Sequence, residues 1–423
     1  MLSSSGLCAL AAIRSARVFF FTVVLLEPLI AAELSLFDAV ELAERDSPKL
    51  LARLASIESA EASIGPAGQL PDPELVLGVE NLPIDGDDHF SLTRDFMTMR
   101  KLGVMQSFPG REKRELRSEL AASAALRERA LLLSEGLGVK EAVARAWIAV
   151  STAERRVELL ESLRVTARAQ IDATSAALAA GRATAADGVA AQSARIALEE
   201  RIEAARADLE IARADLTQWL PGGGTQALSV PPDWLDLGID PDSLIGKIEH
   251  HRELLVFQAD ARSAAAELAL ARAQKRPDWS LELIYAQRGP AFSNMLSLQF
   301  RVGLPVFARA RQAPSIRSKQ ASLERVEAER EAARRMYVTE LRKSLIAWRS
   351  AAKRVRLYEQ DLLPLADDRA AVALAAYQSG TGDLAATLAT LDAAIETRLA
   401  YSDLLDTLAQ AWASLHFAFP EGS

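Results

Sequence analysis

The sequence has little of what most enzyme sites and metal centres need. Its 423 residues include one cysteine and four histidines. A single cysteine, Cys8, excludes a disulfide or a thiolate metal cluster within one chain. None of the histidines has a carboxylate partner at metal-ligand spacing, and we find no glycine-rich phosphate loop or nucleophile elbow. We therefore expect no enzyme activity, no metal site and no cofactor.

Aromatic residues and excess positive charge are also scarce. Aromatics make up 6% of the chain and the formal net charge is −8, so the basic footprint of a nucleic-acid-binding protein is missing. Alanine, leucine, glutamate and arginine dominate, and apolar residues recur at helical spacing. This bias predicts long helices that pack on one another.

The longest apolar run lies near the N-terminus. Residues 1–32 are predicted to be a signal peptide, in which arginines precede the apolar run Val18–Leu26, and Ala31 and Ala32 offer small residues for cleavage. The run is shorter than the roughly 18–20 residues of a membrane-spanning helix, so a membrane anchor is the weaker interpretation. Cys8 precedes this run and is expected to leave with the leader. We expect the mature chain to be exported.

The strongest positive feature is an internal duplication. Leu102–Pro109 is matched by Phe300–Phe307, and Gly181–Asp187 is matched by Gly380–Asp383. The spacing between the matched segments far exceeds the roughly 20–50 residues of a solenoid repeat. We therefore interpret the two halves as one supersecondary unit that has been duplicated. The predicted domains are a first repeat at 33–220, a linker rich in glycine and proline at 221–241, and a second repeat at 242–423.

Each repeat is predicted to hold two strands followed by two very long helices. Alternation of apolar and polar residues predicts strands at about 74–82, 90–108, 280–287 and 295–306. Stretches almost free of helix breakers predict helices at about 111–179, 187–219, 315–377 and 383–415. Pro364 is expected to bend the third of these helices.

The predicted strands admit two interpretations. They fit a half-buried soluble sheet, and they also fit membrane strands that turn an apolar face to lipid and a polar face to a lumen. Their charged faces and their length, near the roughly 9–11 residues of a membrane strand, favour the membrane. Single-chain membrane barrels begin at about 8 strands, and an open edge in lipid leaves amides unsatisfied. If these four strands lie in a membrane, several chains must therefore build one barrel.

Strand parity places a set of candidate residues on the predicted lumen side. Thioethers are soft ligands suited to Cu(I) or Ag(I), so a methionine track for metal cargo is one hypothesis. Ordinary packing by flexible side chains is the alternative that we favour. The lumen-facing candidates are Asp95, Met97, Met99, Met105, Glu282, Gln299 and Arg301.

The order of these elements resembles the TolC-type outer-membrane efflux proteins. The entry segment at 36–50 (LFDAVELAERDSPKL) looks like this family, and Tyr377–Asp383 is similar to its Y-x-x-G tip turn. The segment at 107–119 (SFPGREKRELRSE) is typical of the heavy-metal branch. The resemblance implies a mainly α fold with a β-barrel portion. In a homotrimer, each chain would give four strands to a shared 12-stranded outer-membrane β-barrel and long helical hairpins to a periplasmic α-barrel.

The same resemblance implies a function and partners. The trimer would be the exit duct of a tripartite efflux system, conducting heavy-metal cations passively across the outer membrane of a Gram-negative cell. Its partners would be a periplasmic adaptor protein, an inner-membrane resistance–nodulation–division pump and outer-membrane lipid. The alternatives are a channel for drug or protein export, and a soluble periplasmic helical-hairpin adaptor.

The helical tips carry the gate residues that the resemblance implies. Asp187 would belong to an aspartate ring that narrows the entrance, with Tyr377 as the tip tyrosine and Asp383 as a second acid. Gly181 and Gly380 would form the two tip turns. Some relatives carry an arginine after the tip glycine where this chain has Gly382, which removes one expected gate contact. Capping of the return helices is the competing role for both aspartates.

Overall fold

The described chain consists of short and very long helices and one four-stranded sheet. The computed structural model describes residues 33–180 and 184–420, so the predicted signal peptide, Cys8 and Gly181 lie outside the described residues. In chain order the elements are α1 (Leu36–Asp46), α2 (Pro48–Gly68), β1 (Glu74–Glu80), β2 (Met99–Phe108), α3 (Arg111–Ala179), α4 (Ala185–Trp219), α5 (Arg252–Ala273), β3 (Asp278–Gln287), β4 (Met295–Gly303), α6 (Gln312–Leu357), α7 (Leu363–Gln378) and α8 (Leu384–His416).

The duplication is visible in the order of these elements. The series α2, β1, β2, α3, α4 is followed by α5, β3, β4, α6 with α7, and α8. Helix α3 alone has 69 residues, which at 1.5 Å per residue spans about 100 Å. The predicted combination of long helical hairpins with a small set of antiparallel strands is confirmed. None of the helices in the described ranges is both long and apolar enough to span a membrane.

The second strand is shorter than the sequence predicted. It begins at Met99, and residues 90–98 form an irregular loop. Phe90 has a φ of 54°, outside the strand region, and the Asp95 carboxylate accepts hydrogen bonds from the backbone N–H groups of Met97 and Thr98 at 2.8 and 3.0 Å. The strand prediction was wrong for this segment because apolar side chains on an exposed loop imitated the alternation of a strand.

The four strands form an antiparallel meander in the order β1-β2-β3-β4. Met105 on β2 pairs with Glu74 on β1 and with Glu282 on β3, and Glu282 pairs in turn with Gln299 on β4. The two repeats are therefore joined directly through β2 and β3. Within the described chain, β1 and β4 each keep one edge without a strand partner.

The main hydrophobic core lies where the helices meet the linker between the repeats. Three tryptophan indoles donate hydrogen bonds to backbone carbonyls of non-helical segments. Trp147 bonds Leu34 at 3.0 Å, Trp348 bonds Trp234 at 3.0 Å, and Trp412 bonds the carbonyl of residue 236 at 2.7 Å. These bonds fix the linker and the chain entry against α3, α6 and α8.

Pro364 is accommodated by a change of helix type. A π turn occupies Tyr358–Leu362 between α6 and α7, and the Leu363 N–H donates to the Tyr358 carbonyl. Proline has no N–H to continue the α-helical ladder, so the wider turn before it absorbs the interruption without ending the helical rod.

Candidate functional site

The sheet has one face that is almost entirely apolar. We call it the apolar face. Most of its large side chains have exposed fractions from 40% to 71%, and a contiguous apolar surface of this extent is unusual for a monomeric soluble protein. Arg100 and Gln287 lie at one end of this face, and Gln106 lies near the other. Its apolar members are Leu75, Leu77, Val79, Leu102, Val104, Phe108, Trp279, Leu281, Leu283, Tyr285, Leu296, Leu298, Phe300 and Val302.

The opposite face, here the polar face, carries a connected group around Arg301. Its guanidinium forms an ion pair with Glu282 and donates to the Met105 Sδ at 3.4 Å and to the Gln299 Oε1 at 3.2 Å. Glu282 is only 4% exposed. A buried carboxylate needs a paired cation, and Arg301 supplies it from the next strand. Lys101 and Glu80 form a second ion pair on this face.

The predicted lumen residues divide into two groups. Met99, Met105, Glu282, Gln299 and Arg301 share the polar face. The other two, Asp95 and Met97, belong to the loop before β2, so strand parity does not apply to them.

The three candidate methionines do not form a common cluster. Met99 and Met105 stand six positions apart on one strand, which separates them by about 20 Å. Met97 is 47% exposed on the loop, and the Met105 sulfur already faces the Arg301 guanidinium. In the described parts of the chain, no group of three or more histidine, cysteine or acidic side chains could hold a metal ion.

An ion pair between a buried lysine and a half-exposed aspartate, which sequence reasoning missed, ties the sheet to the helices. The Lys113 side chain is 6% exposed; its Nζ lies 2.9 Å from the Asp278 Oδ2 and donates to the Arg276 carbonyl at 2.6 Å. The other Asp278 oxygen accepts the Gly110 N–H at 3.0 Å. The partners are 165 positions apart in sequence, and the one available signal was a repeated Pro-Asp pair, Pro71-Asp72 before β1 and Pro277-Asp278 at the start of β3.

At the tip of the first repeat, Asp187 completes a capping box. The Asp187 N–H donates to the Thr184 hydroxyl at 3.2 Å, and its carboxylate accepts the Thr184 N–H at 2.7 Å. These bonds, first from the Thr184 backbone and then from its hydroxyl, hold the pKa of the Asp187 carboxyl below its usual value. Asp383 caps α8 in a different way: it is itself the N-cap residue, and its carboxylate accepts the Ala386 N–H at 3.0 Å. The capping role is therefore present for both aspartates, and it leaves the predicted gate role open.

The tip of the second repeat depends on two glycines. Gly380 has a φ of 77°, which favours glycine at a helix C-terminus. A Cβ on Gly382 would lie 2.9 Å from the Tyr377 backbone nitrogen and 3.1 Å from the Ala376 Cβ. An arginine at this position would have to displace the last turn of α7. The close approach of the chain therefore explains the glycine, and Tyr377 itself is half-buried beside it.

A long cleft runs between the two return helices near the tips. It has a volume of about 470 Å³ and lies between α4 and α8, and half of its lining residues are alanine or serine, among them Ala190, Ala194 and Ala389. At one side Arg201 bridges the helices through ion pairs to Asp392 and Glu396, both at 3.0 Å. Small residues keep this surface open to another helix.

Residues 247–419 match the family model described as outer membrane efflux protein. This match covers the second repeat. Among curated proteins, none matches the chain significantly. Solved structures match nearly the whole chain. A membrane protein from Pseudomonas aeruginosa has a TM-score of 0.78 at 18% identity, with 90% of this chain and 89% of that chain covered.

Two further structures match closely. The outer membrane protein VceC from Vibrio cholerae gives a TM-score of 0.75 at 16% identity, over 91% of this chain and 96% of its own. CusC, whose structures are described as revealing changes that accompany transmembrane channel formation, gives a TM-score of 0.75 at 15% identity, over 92% of this chain and 93% of its own. The chain has the fold of these channels. At such low identity the likeness establishes the fold, including the first repeat outside the family match.

Proposed function

We propose that the whole chain belongs to the outer membrane efflux family and is one subunit of a trimeric exit duct. The observation that carries this proposal is the sheet with an exposed apolar face, a charged polar face and two free edges. Such a sheet satisfies its backbone in lipid only when copies join edge to edge. Three copies of four strands make a closed barrel whose apolar face meets hydrocarbon and whose polar face lines a lumen.

The long helices extend the duct away from the membrane. An exported chain with about 100 Å of helix beyond the sheet can cross much of a periplasmic space. The cleft between α4 and α8 fits a helical partner in the helix-in-groove manner, so we assign it to a periplasmic adaptor protein that links the duct to an inner-membrane pump. Asp187 and Asp383 would then stand at the pump-side entrance, where they keep their capping bonds and add negative charge.

We propose heavy-metal cations as the cargo, because the segment at 107–119 resembles the heavy-metal branch. The competing cargo is drugs or proteins, since a passive duct accepts what its pump delivers. Deleting the gene and measuring growth inhibition by metal salts and by drugs separates the two. Sensitivity to drugs alone would reject the metal assignment and leave the duct intact.

Two neighbouring residues of β1 test the orientation of the sheet. Leu77 is 68% exposed on the apolar face, and Val76 is half-buried on the polar face. Arginine in contact with hydrocarbon costs roughly 2–4 kcal/mol near the membrane centre, whereas lumen positions tolerate it. We expect Leu77→Arg to be lost from the outer-membrane fraction and Val76→Arg to remain there as a heat-modifiable trimer. A soluble sheet would give the opposite order, because Leu77 would face water.

A further inference from the structure

Exposed apolar side chains continue past the end of β4. β4 ends at Gly303, and the chain then turns, with the Val306 N–H donating to the Leu304 carbonyl at 2.9 Å. Leu304 and Val306 have exposed fractions of 69% and 72%. Phe307 follows at 67%. The chain then turns into α6 at Gln312. We call Leu304–Arg311 the junction loop.

An aromatic row marks the level at which this loop begins. Phe108 stacks on Trp279 with ring centroids 4.1 Å apart, and Trp279 lies 5.4 Å from Phe300. Trp279 pairs across the sheet with Val302. Tryptophan favours the boundary between hydrocarbon and headgroups. Leu304 and Val306 therefore lie next to that boundary, on the side of the helices.

Two exposed arginines end the junction loop. Arg309 and Arg311 have no carboxylate within ion-pair distance among the described residues. Two other arginines close to the sheet are paired: Arg111 with Glu115 at 2.7 Å, and Arg276 with Glu112. Arg309 and Arg311 have no such carboxylate partner in the described part of the chain and lie next to exposed apolar side chains. Their positive charge is therefore complementary to an anionic surface outside the protein.

The irregular junction between strand and helix is shorter in the first repeat. There, two residues, Pro109 and Gly110, separate β2 from α3, and Gly110 is held by Asp278. The second repeat places eight residues at the same junction. The pseudo-symmetry of the halves is broken here because β4 ends earlier and α6 begins later than their counterparts, which leaves a longer loop with apolar and cationic side chains.

We infer that the junction loop binds anionic phospholipid at the periplasmic surface of the outer membrane, which rests on the membrane location proposed above. Leu304, Val306 and Phe307 enter the acyl boundary, while Arg309 and Arg311 contact phosphate groups of lipids such as phosphatidylglycerol. One such site per chain gives three around the barrel. The site fixes the depth at which the helical tunnel leaves the membrane.

Native mass spectrometry of the detergent-solubilised full chain tests this inference. The wild type is titrated with phosphatidylglycerol and with phosphatidylcholine, and the affinity ratio is measured. An arginine near an anionic surface contributes about fivefold, so we expect the double variant R309Q/R311Q to lose about 25-fold in preference for phosphatidylglycerol. The matched control is R342Q/R369Q, which removes the same charge from two exposed helical arginines that also have no carboxylate partner in the described structure.

The outcomes separate the competing explanations. A wild-type trimer without preference for phosphatidylglycerol, or equal losses in both double variants, overturns the lipid site and leaves the duct standing. Failure of the wild type to form membrane trimers rejects the duct itself. If R309Q/R311Q instead dissociates the trimer with its lipid preference unchanged, the loop contacts a second copy.

A fluorescent label on Val306→Cys in vesicles gives an independent reading. Quenching of the label by brominated lipid supports the lipid site, and protection from quenching contradicts it.

Discussion

At the scale of single residues, His251 makes the stability of the protein depend on pH. Its ring stacks on Tyr337 with centroids 4.5 Å apart and accepts the Glu253 N–H at 3.4 Å. Burial, with a smaller contribution from Arg252, lowers the pKa of His251 to about 4. The unfolded chain, with a pKa near 6.5, binds the proton more readily. Stability is therefore complete above pH 6.5 and is lost as the pH falls toward 4.

We expect this loss to be on the order of 1–2 kcal/mol after allowance for solvent screening at a partly exposed ring. His251→Asn keeps a capping acceptor and removes the titration. Unfolding midpoints in detergent at pH 7.5 and 5.0 should differ less in this variant than in the wild type. Equal pH dependence in both proteins would assign the effect to another group.

The role of a single residue could be predicted from the sequence where its contacts are with near neighbours in the chain. The caps formed by Asp187 and Asp383 were foreseeable, because a cap acts within three residues of itself. Gly382 and Lys113 were not, because the reason for each is a contact that the folded chain creates. For Lys113 that contact lies on the other repeat.

At the scale of elements, the Lys113–Asp278 pair couples the start of α3 to the start of β3. Breaking a buried pair costs roughly 3–5 kcal/mol, and we expect about 2 kcal/mol for Asp278→Asn because the aspartate side chain is 44% exposed. Lys113→Met with Asp278→Asn removes both charges and should recover part of this loss. A double-mutant cycle on unfolding free energies measures the coupling, and strictly additive costs would contradict it.

The sequence pattern alone predicted some helices and strands correctly and others only in part. The long helices were recognisable because they combine strong helix formers with few breakers over dozens of residues. Strands β1, β3 and β4 were recognisable because one face is apolar at every second position. The same rule wrongly predicted a strand at residues 90–98. Exposed apolar side chains on this loop alternate as in a strand, but the backbone forms no strand hydrogen bonds there. Pairing between β2 and β3 could not be predicted from the local sequence pattern, because the two strands belong to different repeats.

At the scale of the whole molecule, the open edges of β1 and β4 allow assembly to be tested directly. Within one chain two strands lie between them, which separates these edges by about 14 Å. A disulfide requires Cα atoms closer than roughly 7 Å. Any disulfide between β1 and β4 must therefore join two copies of the chain. In the proposed barrel, β1 of one copy lies beside β4 of the next with their apolar faces aligned.

We therefore expect Leu77→Cys, combined in turn with Leu296→Cys, Leu298→Cys and Phe300→Cys in a Cys8→Ser background, to give covalent trimers with at least one partner. The matched control is Val76→Cys with the same partners. Its Cβ points to the polar face while theirs point to the apolar face, so it should not cross-link. Non-reducing gels of outer membranes distinguish trimers from monomers, and reduction should return them to monomers. Cross-linking of Val76→Cys as efficient as that of Leu77→Cys would contradict the edge-to-edge closure, because alignment of the faces is what a continuous lipid-facing surface requires.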